Sequence, residues 1–333
     1  MLTRTEMLVL RALCNNSRAS VSDLSKQLGI SRYFIGKYIA SLEEKLGLKY
    51  TLELDYKLLG FSSMHVMYLN FSKKPRPEVF DTLIPKSIRI QFFATTKGDF
   101  DTIAFAVSKN PIEYSQLEVA LQASLIDYGA EVHSAEVTLM RFGFVPISNA
   151  LLATADGIDD DIKKLLMALN ENSRQELSSL SKATGMSVGM TKYYMAKLEK
   201  AGIIKRYTAV ITNKAFKTAI AAFVSYHVTS GIVERIAMER RNLYFAEPKE
   251  PYAANSLLEM WSISGAAQAF ILAGFNSEKD ANAMINKHNS IYAKDKPSVS
   301  TALITKTHLG FLPFRNMNVE ESYDTTSWTL DLL

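Results

Sequence analysis

An internal repeat constrains the fold of this chain more than any other feature of its sequence. Three short segments recur at an offset of 156 residues: Asn16-Ser17-Arg18 as Asn172-Ser173-Arg174, Leu24-Ser25-Lys26 as Leu180-Ser181-Lys182, and Gly29-Ile30-Ser31 as Gly185-Met186-Ser187. A repeat at one fixed period indicates that one supersecondary unit occurs more than once in the chain. We therefore expect a tandem duplication.

The repeated unit is clearest in its second copy, residues 159–207. Four apolar residues at helical spacing, Ile162, Leu165, Leu166 and Leu169, predict an amphipathic helix over 159–170. A second, short helix around 177–184 ends at Gly185, and Ser187 is placed to cap a third helix over 188–201. Residues 203–207 then alternate like a strand. This order predicts a winged helix-turn-helix, whose last helix enters the DNA major groove.

The exposed face of the third helix is basic and aromatic in both copies. Thr191, Met195 and Leu198 are expected to point inward. The residues predicted to contact DNA are Ser31, Arg32, Tyr33, Lys37 and Tyr38 in the first copy and Ser187, Gly189, Lys192, Tyr193, Tyr194 and Lys197 in the second, with Lys205 and Arg206 of the wing on the phosphate backbone. One of the adjacent tyrosines Tyr193 and Tyr194 is expected to pack inward. The alternative is an ordinary solvated helix face.

The distribution of charge agrees with a nucleic-acid partner. Residues 1–60 hold 9 Lys and Arg against 6 Asp and Glu, and residues 159–217 hold 11 against 6. These segments carry +3 and +5, and the rest of the chain carries −4, because the formal net charge is +4. Positive charge is concentrated where a phosphate backbone would lie.

Each helical unit is followed by a pattern of the order β-α-β-β-α-β. In the first half the strands are expected at 62–71, 88–95, 102–107 and 132–144, with helices at 78–84 and 111–129. In the second half they are expected at 219–228, 258–264, 269–275 and 299–307, with helices at 232–241 and 278–292 and a loop insertion at 246–255. This order predicts a ferredoxin-like sheet with helices on one face.

The predicted fold class is α+β, with two winged helix-turn-helix domains alternating with two ferredoxin-like (βαββαβ) sheet domains. The expected boundaries are 1–60 and 156–215 for the helical domains, 61–150 and 216–315 for the sheet domains, and 316–333 for an acidic tail.

At this point the sequence resembles the Lrp/AsnC family of transcription regulators. The resemblance rests on the helix-turn-helix pattern of 159–207, the connecting segment 53–60 and the turn Gly98-Asp99-Phe100-Asp101. It implies a DNA-binding regulator whose sheet domains pair back to back and sense a small metabolite, often an amino acid. The implied effector site is Thr95, Thr96, Gly98, Asp99 and Asp101. The plainer reading is that the two aspartates only shape a β-turn.

The chain departs from that family in three respects. Tyr38 and Tyr194 stand where the family usually has Arg in the recognition helix. The turn of the second half is Gly265-Ala266-Ala267-Gln268, which lacks both carboxylates, so an effector is expected in the first sheet domain only. Two units also lie in one polypeptide instead of one.

Enzymatic function is not expected. The five histidines show no metal-binding spacing, no nucleophile elbow or phosphate-binding loop occurs, and Cys14 is the only cysteine. We expect no catalytic residue, no cofactor and no metal. Two alternatives stay open: a siroheme-decarboxylase-like enzyme, in which His65 and His227 on the first strands would be examined first, and a metabolite-binding or scaffold protein that no longer binds DNA.

The expected location is the cytoplasm, because the sequence contains neither a secretory h-region nor an apolar run long enough to span a bilayer. The expected partners are double-stranded DNA, a small-molecule effector and a second copy of the chain. The apolar strand around 219–224 would leave one sheet face exposed. We therefore expect the two sheets to pair within one chain; the alternative is that each sheet pairs with its copy in a second chain.

Overall fold

The structure is a computed structural model that describes residues 3–137, 139–142, 144–211, 219–225, 255–261, 269–275, 277–292 and 299–313. The first half contains α1 (Arg4–Asn15), α2 (Val21–Leu28), α3 (Arg32–Leu46), β1 (Leu48–Leu54), β2 (Ser63–Phe71), α4 (Pro77–Leu83), β3 (Ile90–Gly98), β4 (Thr102–Ser108), α5 (Pro111–Ser124), β5 (Ala130–Glu136), β6 (Leu139–Phe142) and α6 (Asn149–Leu152). The second half contains α7 (Asp160–Glu171), α8 (Leu177–Thr184), α9 (Val188–Lys200), β7 (Ile204–Ile211), β8 (Ala219–Ser225), β9 (Asn255–Trp261), β10 (Ala269–Phe275), α10 (Glu278–Tyr292), β11 (Val299–Leu309) and β12 (Leu312–Pro313).

The three helices of each helical unit begin and end close to where the sequence places them. Ser31 and Ser187 cap α3 and α9, because their hydroxyl oxygens accept the backbone N–H of Phe34 and Met190 at 3.5 and 3.2 Å. Thr191, Met195 and Leu198 are buried on the inner face of α9, as predicted. The helical periodicity of the sequence therefore locates the buried face of α9 correctly.

The strands that follow the two helical units form one sheet rather than two separate wings. β7 lies between β1 and β12, and β1 pairs antiparallel with β7 so that Thr51 lies opposite Thr208. The helical units are also exchanged across this sheet, because α1 packs against β7 and α7 packs against β1. Each helical unit is thus completed by a strand from the other half of the chain.

The second sheet has nine strands in the order β5-β2-β4-β3-β11-β8-β10-β9-β6. The two halves contribute equivalent groups of four, β5-β2-β4-β3 and β11-β8-β10-β9, which join where β3 pairs with β11 and where β9 pairs with β6. β5 and β6 are successive in the chain but lie at opposite ends of this order. The chain therefore passes from one edge of this strand order to the other within a few residues.

One predicted strand has to be corrected. The sequence predicts a single strand over 132–144, but the structure divides it into β5, which pairs with β2, and β6, which pairs with β9 of the other half. The division follows from the pairing of the halves, because the end of this segment leaves the strands of its own half and pairs with β9. β-propensity alone does not reveal where a strand changes its partner.

The alternating side chains of the first group of strands enter two different cores. Met67 and Leu69 of β2 pack with Phe80 of α4 and with residues of α5. On the opposite face, Val66 and Tyr68 belong to the same buried cluster as residues of β10 and of the second helical unit. The two groups of strands thus pack against one another in this chain.

Several expected features lie outside the described residues. They are the helix over 232–241, nearly all of the insertion at 246–255, the turn at 265–268 and the tail from 316. Among the described helices, none combines the length and apolar character needed to cross a membrane.

The first helical unit contains a buried carboxylate whose ionisation stabilises the fold. Glu6 accepts hydrogen bonds from the Thr3 backbone N–H at 2.7 Å, the Ser41 hydroxyl at 2.8 Å and the Lys45 ammonium at 2.6 Å. Burial alone would raise the pKa of Glu6. The hydrogen bonds from these three residues lower it by more, so the pKa is about 2. Because the folded pKa lies below the unfolded value, this stabilisation is complete above pH 4.5 and is lost as the pH falls toward 2.

We predict that Glu6→Gln lowers the free energy of unfolding of the first helical unit by about 2 kcal/mol at pH 7, because the shifted pKa reports a favourable ionised state. Urea denaturation at pH 7 and at pH 3 measures the difference. The matched control is Glu44→Gln, on the exposed side of α3, which should change little at either pH. A Glu6→Gln deficit that is equally large at both pH values would contradict this account.

Candidate nucleic-acid interface

The exposed face of α3 carries cationic and aromatic side chains, as predicted. Arg32, Tyr33 and Lys37 are exposed, and the Lys37 ammonium lies 4.6 Å from the centroid of the Tyr33 ring. Tyr38 differs from the expectation, since it is half-buried and packs against the core of the first helical unit. Sequence reasoning missed Phe34, whose side chain is 50% exposed next to Tyr33. Its position directly before the inward Ile35 is the signal that places it on this face.

The exposed face of α9 has the same chemical character but different residues. Lys192, Lys197 and Gly189 are exposed, and 63% of the Tyr193 side chain is accessible. Tyr194 is half-buried and packs against the large core cluster. One of the two adjacent tyrosines thus faces inward, as expected, and it is Tyr194.

The two predicted wing cations have protein partners. The Lys205 ammonium lies 3.0 Å from the Asp55 carboxylate, and its side chain is 50% exposed. The Arg206 guanidinium pairs with Glu53, and its side chain is only 17% exposed. Glu53 and Arg206 lie opposite each other on β1 and β7. The surroundings of Arg206 therefore support a role in joining the two strands rather than in contacting a phosphate backbone.

The repeated Asn-Ser-Arg motif joins the two helical units. The hydroxyl oxygens of Ser17 and Ser173 lie 2.6 Å apart and are buried. Arg18 donates to the backbone carbonyl of Ser173 at 2.6 Å, and Arg174 donates to that of Ser17. Each half thus gives the other the same bonds, which is the arrangement of a two-fold symmetric contact. In the sequence this motif marked only the repeat, and its joining role was missed.

Two aromatic side chains extend this contact. The Arg18 guanidinium lies 5.5 Å from the ring centroid of Tyr207 on β7, and the Arg174 guanidinium lies 5.1 Å from that of Tyr50 on β1. Both arginines therefore bond the opposite half of the chain. We call Ser17, Arg18, Tyr50, Ser173, Arg174 and Tyr207 the interhead contact. This contact orients the two helical units, and with them α3 and α9.

In the predicted effector turn, the Asp99 carboxylate joins the two halves of the protein, whereas the Asp101 carboxylate is bonded within the first half. The Asp99 carboxylate accepts the backbone N–H of Thr301 at 2.7 Å, and the Asp99 N–H donates to the Thr301 carbonyl at 2.9 Å. Asp101 accepts the backbone N–H of Phe71 at 3.0 Å and pairs with Lys74 at 2.7 Å. Both carboxylates are therefore occupied by groups of the protein.

The other residues of this turn also make internal contacts. Thr95 contacts the hydroxyl of Thr305 on β11 at 3.1 Å, and the buried Thr96 hydroxyl donates to the Phe100 carbonyl. Gly98 has φ +153°, and a Cβ there would lie 2.3 Å from the Thr301 carbonyl oxygen. Glycine thus permits β3 to approach β11 closely. An effector site built on these side chains is not supported by their surroundings.

The described part of the chain gives no support to a metal or histidine centre. No group of three or more metal-ligating side chains occurs among the described residues. His65 is buried and stacks on the Tyr114 ring with 3.4 Å between centroids, and burial lowers the pKa of His65 to about 4. His227 lies outside the described residues. His65 therefore has the environment of a neutral core histidine.

Comparisons with known proteins identify the second helical unit. The family described as winged helix-turn-helix DNA-binding matches residues 159–205. An HTH-type transcriptional regulator of Pyrococcus abyssi is 27% identical over 140 residues, which are 42% of this chain and 84% of the relative. The HTH-type transcriptional regulator FL11 of Pyrococcus horikoshii is 24% identical over 151 residues, which are 45% of this chain and 91% of the relative.

Solved structures of a siroheme decarboxylase resemble nearly the whole chain. The siroheme decarboxylase NirDL superposes with a TM-score of 0.58 over 92% of both chains, at 14% sequence identity. Its complex with an iron-uroporphyrin III analogue gives a TM-score of 0.57 over 93% of both chains, at 14% identity. At this identity the likeness shows a shared fold alone. The chain therefore contains a helix-turn-helix like those of transcriptional regulators within a fold shared with NirDL.

We predict that Arg18→Ala with Arg174→Ala loosens the interhead contact and exposes Cys14. This thiol lies under β7, 3.7 Å from the Ala209 carbonyl oxygen, and burial raises the pKa of Cys14 to about 12. In the unaltered chain it should therefore react slowly with Ellman's reagent at pH 8. The double variant should react at least tenfold faster.

The control for this experiment is Arg32→Ala with Lys37→Ala, which removes the same charge from the exposed face of α3 in the helical unit that contains Cys14. It should leave the thiol protected. Equal reaction rates in the two double variants would show that the interhead contact does not hold β7 over Cys14.

Proposed function

We propose that this protein is a sequence-specific DNA-binding transcription regulator whose α3 and α9 enter the DNA major groove. The observation that carries the proposal is the pair of exposed, basic and aromatic third helices, held in one assembly by the β1–β7 sheet and the interhead contact. In helix-turn-helix proteins two such helices read two half-sites whose separation follows from the protein's geometry. Here a single chain supplies both helices.

Four exposed cations of these helices support a DNA-facing role. Arg32, Lys37, Lys192 and Lys197 are exposed, and none of them forms an ion pair with another described residue. By contrast, Lys163 and Lys164 on α7 lie near Asp160 and Asp161 at 3.6 and 3.0 Å. Unpaired cations on a helix face can release counterions from DNA when they meet phosphates.

The two helices would not read the same bases. The first turn of α3 presents Arg32, Tyr33 and Phe34, whereas the equivalent positions of α9 hold Val188, Gly189 and Met190. Base recognition depends on the side chains that reach the groove edges. The proposed binding site therefore has two unlike half-sites and is not a palindrome, even though the protein is nearly two-fold symmetric.

We also propose a domain layout for the chain. Two winged helix-turn-helix domains, 1–60 and 156–215, alternate with two ferredoxin-like domains, 61–150 and 216–315. The equivalent strand orders of the two halves support it.

Association of two chains is also proposed, with support from exposed apolar side chains on and after α5. Ile112, Val119 and Ile126 recur every seven residues and are 71%, 65% and 74% exposed.

We predict that Lys192→Ala with Lys197→Ala weakens binding to duplex DNA at least tenfold in 100 mM salt. Because each lost phosphate contact removes about 0.9 from the slope of log K against log salt, the slope should fall by about two. The probe is the duplex pool recovered by the protein from sheared genomic DNA of its source organism, and fluorescence anisotropy measures binding.

The matched control for this prediction is Lys163→Ala with Lys164→Ala, which removes the same charge from α7 of the same unit. These lysines lie beside aspartates of their own helix, so the control should shift affinity much less. Equal losses of DNA affinity in the two double variants would show that the effect comes from net charge alone. Unchanged affinity of the α9 variant would remove α9 from the interface.

A siroheme-decarboxylase-like enzyme is the second candidate, favoured by the full-length likeness to NirDL. The shared fold supports this enzyme candidate. The described residues offer no set of candidate catalytic residues for it, because His65 is buried against Tyr114. Absorbance titration with iron uroporphyrin III tests it directly. A ligand-induced band that His65→Ala abolishes would favour the enzyme over the regulator.

A further inference from the structure

A cavity of about 330 Å³ lies where the helical units meet the nine-stranded sheet. Its lining comes from β1, α7, the start of β3, the end of β11 and the segment that links the two halves of the chain. We propose that this cavity binds a small carboxylate with an apolar body, and that Lys49 supplies the charge that recognises it. The inference is independent of DNA binding, because its test measures the ligand directly.

The repeated ending of the two halves forms part of this cavity. Gly143-Phe144-Val145-Pro146 and Gly310-Phe311-Leu312-Pro313 end the first and second halves alike, and Pro146, Gly310 and Phe311 all line the cavity. Gly310 has φ +84°, and a Cβ there would lie 2.2 Å from the Gln91 carbonyl oxygen. Only glycine lets this segment approach β3 so closely, which brings Phe311 to the cavity wall.

Most polar groups of the wall are already bonded to one another. The Asn170 amide donates to the Ile147 carbonyl at 2.8 Å and to Asn149 at 2.9 Å, and it accepts the Thr51 hydroxyl at 2.6 Å. Gln91 accepts the Ser148 backbone N–H at 2.6 Å. These bonds fix the linking segment between the sheet and α7, so the cavity is formed before any ligand arrives.

Lys49 is the group that this network leaves without a counter-charge. Its ammonium lies 4.9 Å from the Phe311 ring centroid, and it forms no ion pair with another described residue. The side chain is half-buried, so water screens its charge less than at a fully exposed position. A ligand carboxylate beside Lys49 would gain a charge-assisted hydrogen bond.

Two hydroxyl groups in the cavity lining can each donate a further hydrogen bond. The oxygens of Ser87 and Ser148 accept the backbone N–H groups of Arg89 and Leu151, each at 3.3 Å, and their hydroxyl protons donate to no other described residue. A hydroxyl can donate one bond while it accepts others. Beside the Glu171 carboxylate, the cavity thus offers one cation and two hydroxyl donors, and these three groups complement a carboxylate.

The remaining lining sets the size and shape of the ligand. Ile88, Ile90 and Leu309 line the cavity with Phe311, so the body of the ligand should be apolar. A volume of about 330 Å³ lies at the lower end of the range for small-molecule sites. Glu171 lines the cavity and is exposed, with one carboxylate oxygen held by the Asn149 amide at 2.7 Å. A positive group on the ligand is therefore tolerated beside the carboxylate but not required.

The proposal is tested by calorimetric titration of the full chain with four six-carbon compounds: hexanoate, norleucine, hexan-1-ol and hexylammonium. All four have an unbranched six-carbon skeleton and differ in the charged groups that they carry. Hexanoate and norleucine should bind, hexan-1-ol should bind at least tenfold more weakly, and hexylammonium should give no heat. Lys49→Met should reduce hexanoate binding at least tenfold.

The matched control is Lys57→Met, which removes an exposed lysine just beyond β1 and should leave hexanoate binding unchanged. Circular dichroism and the thermal midpoint establish that each variant is folded, and Ser148→Ala gives a second, milder variant that should weaken hexanoate severalfold. Equal binding of all four compounds, or of hexanoate to the Lys49→Met chain, would overturn the proposal. So would loss of hexanoate binding in Asp99→Ala alone, because that would place the site at the β3–β4 turn.

Discussion

The pairing of β1 with β7 is the interaction on which the rest of the molecule depends. These strands come from different halves of the chain, yet each covers the first helix of the other half's helical unit. Their union places Glu53 opposite Arg206 and brings the two serines and two arginines of the interhead contact together. The paired strands and the buried contacts set the relative orientation of α3 and α9.

Below this assembly the nine-stranded sheet repeats the same principle. The first half supplies five strands and the second half four. The last strand of each half pairs with a strand of the other half, β6 with β9 and β11 with β3. Asp99 strengthens the second junction through its two bonds to Thr301. One acidic residue of the turn, Asp99, therefore stabilises the union of the halves. The cavity beside Lys49 lies elsewhere, where this sheet meets the helical units.

Local features of the sequence predicted the helical units well. The spacing of Leu165, Leu166 and Leu169 and the capping serines specify α7 and α9, because helix periodicity and capping depend on neighbouring residues. The exposed Lys192 and Tyr193 follow from the same periodicity. The partners of Arg18 and Arg206 could not be predicted, since they depend on segments more than 150 residues away that meet only in the folded chain.

An intramolecular disulfide between β1 and β7 tests the central claim most directly, namely that one chain joins its own two helical units. Glu53→Cys with Arg206→Cys, in a chain that also carries Cys14→Ala, places two thiols at directly opposed positions of antiparallel strands. Mass spectrometry after mild oxidation should show a crosslinked monomer in the same yield from about 1 to 100 μM protein, since neighbours in one chain have a fixed effective concentration. Dimers linked through these cysteines, in a yield that rises with protein concentration, would contradict the account.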